Sequence, residues 1–156
     1  MVDHELQERR ERVFIALAGT FLCAMTLLNV IGITRFVQLG PMALAVGVLP
    51  YPLTFLCTDL VCELYGKARA NFLVSVGLGL NFLILFMLFL GASVPAVPAD
   101  AMPPWQIIQL AAPVALPNGD IVESSIGLYQ LIYATTSGAV FASMLAYIAA
   151  QFCDVQ

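Results

Sequence analysis

The sequence holds little charge: Asp, Glu, Lys and Arg make up 10% of its 156 residues, against 61% hydrophobic residues, where soluble domains carry about a quarter charged residues. With a mean hydropathy of +0.93, that shortage excludes an ordinary soluble globule and makes the chain a membrane protein. Histidine is nearly absent. The single one, His4, sits in the polar N-terminal "MVDHELQERRER", so no metal set and no cofactor are expected. Cys23, Cys57, Cys62 and Cys153 fall inside apolar runs, and none forms a CxxC pair; they read as small core residues rather than disulfide or metal ligands. There is no GxxxxGK[ST] phosphate loop, which excludes ATP hydrolysis by that route. Neither a Ser-His arrangement nor a second buried aspartate, apart from Asp154, supports an enzyme. A net charge of -4 with scattered acids gives no surface for nucleic acid.

What is there is long uncharged stretches, at 13–34, 36–58, 70–99 and 124–153. Each exceeds the roughly 20 residues that cross a bilayer as a helix. The expected fold is all-α, a polytopic transmembrane helix bundle with about four spans, arranged as one membrane domain over residues 1–156. Its parts are a cytoplasmic N-terminal segment at 1–12, helix one at 13–34, a proline-kinked helix two at 41–64, helix three at 70–92, an outer loop at 93–123 and helix four at 124–152. The run from Val13 to Thr34 is too long for a signal-peptide core and lacks a small-x-small cleavage site. Arg9, Arg10 and Arg12 before helix one, and Lys67 and Arg69 after helix two, place the N-terminus inside. Residues 93–123 contain no Lys or Arg and carry Asp100, Asp120 and Glu123, which suits the outer face. Residue 156 then returns to the cytoplasm.

The outer connection is proline-rich, and its "PPWQIIQLAAP" predicts one short amphipathic helix started by proline. Trp105, the only tryptophan, reads as a headgroup-level anchor, and "LPNGD" as a turn. Helix four repeats small residues at Gly138, Ala142, Ala146 and Ala150, a face that lets helices approach closely in lipid. Helix three carries Ser75, Gly77, Gly79 and Asn81 in its first half and "FLILFMLFLG" in its second: one end for packing, the other for lipid.

Helix two holds the chemistry. Gly40, Pro41, Pro50 and Pro52 puncture it, and Asp59 and Glu63 load its inner end. A proline inside a helix removes a backbone hydrogen bond and kinks the segment, and broken helices build binding sites near the midplane. Asp59 and Glu63 are four apart and share a face, with Thr58, Cys62 and Tyr65 close by. Asp59 lies about 12 Å along the helix from Lys67, too deep to reach the interface as Glu63 can. A carboxylate at the bilayer centre costs about 2.5 to 3.5 kcal/mol on insertion scales, so it faces a cavity, a partner or a proton path. Two readings stay open at this point: a functional carboxylate, or a structural cap or ion pair with Lys67 or Arg69.

"YPLTFLCTDLVCELYGKARA" at 51–70 and "ASMLAYIAAQFCDVQ" at 142–156 resemble the two signature segments of the queuosine precursor transporter family, also called the vitamin uptake transporter family. The matching residues are the aromatic-proline pair, Phe55, Thr58-Asp59-Leu60, Glu63, Tyr65-Gly66 and the basic residues after them, then Gln151, Asp154 and Val155. The resemblance implies an inner-membrane, multi-pass carrier that imports a 7-deazaguanine such as 7-cyano-7-deazaguanine for tRNA modification. A guanine-like base offers adjacent N–H donors that a carboxylate accepts in two parallel charge-assisted bonds. Asp59 or Glu63 would then read the purine edge, beside Thr58. Tyr51 or Phe55 would stack on the ring, with Asn29, Asn81 or Gln130 completing the contacts; location alone supports the last three, and helix packing competes for each. Two departures stand out: the chain ends just after the second signature, and helix four has no basic residue. A small-residue face needs neighbours in lipid, so the chain is read as C-terminally truncated, or as completed by a homo-oligomer. The alternatives are a substrate-binding membrane subunit of an ATP-driven vitamin importer and a structural membrane protein.

Overall fold

The computed structural model describes residues 2–32, 34–98, 101–117 and 119–154, and the side chains among them except those of 2, 3, 39 and 147–154. Four helices dominate: α1 (Val2–Ile31), α2 (Tyr51–Tyr65), α3 (Lys67–Ser93) and α4 (Leu128–Asp154). Three stretches of the described residues, His4–Ile31, Val46–Tyr65 and Lys67–Ser93, are long and apolar enough to cross a membrane. The protein is a predominantly helical membrane protein. Among the described residues the strands form two-stranded ladders only: β1 (Phe36–Leu39) with β2 (Met42–Ala45), β3 (Ile107–Gln109) with β6 (Ser125–Gly127), and β4 (Val114–Ala115) with β5 (Ile121–Val122). By internal contacts the chain divides into Met1–Asn81 and Phe82–Gln156, taken in turn below.

In the first unit, α1 begins at Val2 rather than 13. The polar residues before Val13 are helical because they pair at helical spacing, His4 with Glu8 at 3.5 Å and Arg12 with Glu8 at 3.4 Å. After α1 the sequence-based reading needs its largest correction. Residues 41–45, the expected start of helix two, belong instead to an antiparallel hairpin over 36–45, with Phe36 opposite Ala45 and Leu39 opposite Met42. Gly40 takes φ +60 at the two-residue turn, a conformation that glycine supplies without steric cost, and Pro41 follows with no N–H to place in the ladder. A 3-10 turn at Val46–Val48 then returns the chain against the end of α1, where Gly47 N–H donates to the Gly32 carbonyl at 3.0 Å. A Cβ on Gly47 would stand 3.0 Å from the Gly32 Cα, so the backbones meet there only because both residues lack side chains.

The prolines do not kink α2 but start it. Pro50 is the N-cap and Pro52 lies in the first turn, where the missing N–H has no intrahelical partner to lose. The helix buries Thr54, Cys57 and Val61, the face that packs on Phe21 and its neighbours in α1. It stops at Gly66, whose φ 86 and ψ 162 belong to a region open to glycine almost alone, and α3 starts at the next residue. In α3, Ala70, Leu73, Gly77 and Asn81 are buried. Gly77 admits α1, since a Cβ there would meet Met25 Sδ at 2.9 Å and Phe21 Cε1 at 3.2 Å.

The second unit begins with the lipid-suited end of α3, where Phe82, Phe86, Met87 and Phe89 are exposed. Between α3 and α4 the expected amphipathic helix is absent. Pro104–Gln106 makes one 3-10 turn, and Ile107 leads directly into β3, because the β-branched Ile107 and Ile108 find partners in Gly127 and Ile126 of β6. That pairing delays helix four from 124 to Leu128. The "LPNGD" turn closes with Gly119 N–H donating to the Leu116 carbonyl at 2.9 Å, and Gly119 has φ 92. Leu116, Ile126 and Ala134 form the small core of this unit. Gly138, Ala142 and Ala146 are exposed; Ala150, with Asp100, Gln151, Cys153, Asp154 and Val155, lies outside the residues whose side chains are described.

Candidate functional site

The residues singled out in the sequence divide into three groups. Tyr51, Phe55, Asp59 and Glu63 follow one another at intervals of four along α2, and all are exposed. Intervals of four drift slowly around a helix, so the four side chains form one strip spanning about 18 Å. The strip lies opposite Cys57 and Val61, the residues packed against α1. At its N-terminal end the Tyr51 and Phe55 rings stand 5.3 Å apart, tilted by 57°.

Thr58 does not join the strip. It is half-buried, and its hydroxyl donates back to the Thr54 carbonyl at 3.1 Å and the Phe55 carbonyl at 2.9 Å, a bond pattern internal to the helix. Asn29 and Asn81 form the second group. Both are buried, and Asn29 Nδ2 donates to Asn81 Oδ1 at 2.8 Å, so they tie α1 to α3. Gln130, in the second unit, is exposed and lines a cavity formed by that unit's own residues.

A cluster at the α2–α3 corner went unrecognised in the sequence and decides what the acids on the strip are free to do. Arg69 pairs with Glu11 at 3.1 Å and lies 5.3 Å from the Phe14 ring centroid and 5.7 Å from that of Tyr65. Arg10 donates to the Leu64 carbonyl at 3.0 Å, satisfying a carbonyl in the last turn of α2 that has no helical partner. The Tyr65 hydroxyl donates to the Arg10 carbonyl at 2.6 Å, and Phe14 meets Tyr65 edge-on at 5.3 Å. Arg69, one of the two cations that follow α2, is thus engaged with α1. Among the described residues neither Asp59 nor Glu63 has a cation within 4.0 Å, and the ion pair with Lys67 or Arg69 that competed for these acids is not formed.

A greasy helix carrying a strip of two aromatic rings and two unpaired carboxylates, within a predominantly helical membrane protein, has the makings of a carrier for a small polar molecule. Residues 45–156 match the family described as "Putative vitamin uptake transporter", and the chain belongs to that family. The match takes in all of α2, and with it the strip. No curated protein and no solved structure matches the chain.

Proposed function

We propose that the protein carries a 7-deazaguanine, of the kind of 7-cyano-7-deazaguanine, into the cell across the inner membrane, as a multi-pass carrier with its N-terminus and residue 156 in the cytoplasm. The observation that supports this reading is the strip on α2. A carboxylate in lipid costs about 2.5 to 3.5 kcal/mol, and Arg69, which could have offset that cost, pairs with Glu11 of α1 instead. Two unpaired acceptors beside two aromatic faces match the needs of a planar base with adjacent N–H donors. Asp59 accepts the paired donors, since charge-assisted bidentate bonds are the strong ones. Glu63, one turn nearer the cytoplasmic end, accepts the base as it leaves, and Phe55 or Tyr51 stacks on the ring. A site built to pair N–H donors rejects analogues lacking them, because its own polar groups would be left unpaired.

Uptake of labelled 7-cyano-7-deazaguanine by cells unable to make it tests the reading directly. The native chain is expected to support uptake without any co-expressed ATPase. Asp59→Asn, which keeps size but offers an N–H where an acceptor is needed, is expected to lower it about ten- to a hundredfold at normal expression. Undiminished uptake by that variant would overturn the assignment.

A further inference from the structure

The second unit contains a cavity of about 950 Å³, at the upper end of the range of small-molecule pockets, roughly 300 to 1,000 Å³. It lies between the end of α3, the segment after it and the start of α4. We infer that it is a binding site for a neutral, planar heteroaromatic molecule, and hence a second station for the cargo, separate in sequence from the strip on α2. The inference rests on the proposed function for the name of the cargo, though not for its chemical class.

Three features of the cavity carry this. Its walls are held by backbone and side-chain bonds: β3 and β6 pair across Ile107 and Gly127, and the Tyr129 hydroxyl donates to the Leu88 carbonyl at 2.9 Å. Tyr129 reaches that carbonyl only because residue 91 is glycine; a Cβ there would collide with the phenol oxygen. The lining carries Trp105, Tyr129 and Tyr133, which supply ring faces, Gln106 and Gln130, which supply amides, and one carboxylate, Asp120. Each amide offers an acceptor and two donors, the complement of a base edge that presents both. Finally, no Lys, Arg or His is among the described lining residues, and the one ionisable carboxyl there, Asp120, repels anions. Nothing there would offset the charge of a phosphate or carboxylate, so the site disfavours anions and admits neutral rings.

Trp105 is the only tryptophan in the chain, so its fluorescence reports on this cavity alone. The test is a fluorescence titration of the purified full chain with guanine, with 7-cyano-7-deazaguanine, and with orotate as a planar anion. The two neutral bases are expected to quench Trp105 saturably and orotate is not. Gln130→Leu, an exposed position, should weaken the quench about tenfold, the worth of a hydrogen bond or two. Gly91→Ala, which displaces Tyr129, should weaken it as well. If neither base quenches Trp105, or if orotate quenches equally, the inference fails. Uptake by cells separates the two proposals: uptake without quenching removes the cavity and leaves the carrier, and quenching without uptake removes the carrier and leaves the cavity.

Discussion

Two sets of charged residues lie within one helix and its flanks, and they are treated in opposite ways. At the α2–α3 corner Arg10, Glu11 and Arg69 are all engaged, with a carbonyl, with one another and with the rings of Phe14 and Tyr65. About one and two turns before that corner, Glu63 and Asp59 have no cation within 4.0 Å among the described residues. At the corner Arg69, a few residues beyond those acids, pairs with Glu11 instead. Charge at the corner is structural, whereas the acids of the strip are in no ion pair among the described residues, and the proposed function gives them to the cargo.

The largest effect should come from the strip. Asp59→Asn is expected to lower uptake about ten- to a hundredfold, the worth of a hydrogen bond to a charged group, about 1.5 to 3 kcal/mol, with little change in thermal stability of the detergent-purified protein. A large fall in stability together with uptake would mean that the strip is structural after all. Gly66→Ala comes next: a non-glycine residue forced to φ 86 should cost about 1 to 3 kcal/mol, seen as a lower melting temperature and lower yield. Asn29 and Asn81 should show a coupling of about 0.6 to 1.7 kcal/mol in a double-mutant cycle with alanine, the range for polar pairs between membrane helices. Additive losses would dissolve that pair. Glu11→Gln should do least. Both partners of the Glu11–Arg69 pair are about half exposed, so solvent screening limits the loss to about 0 to 1 kcal/mol, and selectivity among bases should be unchanged.

How much of this could be read from the residues alone depends on distance along the chain. The shared face of Asp59 and Glu63 follows from a spacing of four, and so do Tyr51 and Phe55 once α2 is a helix. The membrane setting follows from composition. Bounds set by hydropathy were less faithful. Residues 36–45 are uncharged and apolar, so they count toward a span, yet the Gly40-Pro41 turn and the pairing of Phe36 with Ala45 make them a hairpin. The same rule cut α1 at 13, because a helix does not end where its apolar residues do. Pro50 and Pro52 were read as breaking a helix that in fact starts with them. Ile107 and Ile108 went to a strand because residues 125–127, almost 20 positions on, were there to pair with them. The corner cluster and the Asn29–Asn81 bond join residues more than 50 apart, and no spacing within a single sequence relates such positions.

That asparagine bond has a consequence for how the helices are phased. Apolar surfaces in lipid are slippery: leucine slides past leucine at little loss, and rotation about a helix axis changes few contacts in kind. A buried amide pair behaves as a dowel. Shifting α1 along α3 by one turn, about 5.4 Å, would strand both amides among hydrocarbon side chains, so only one azimuth and one register are comfortable.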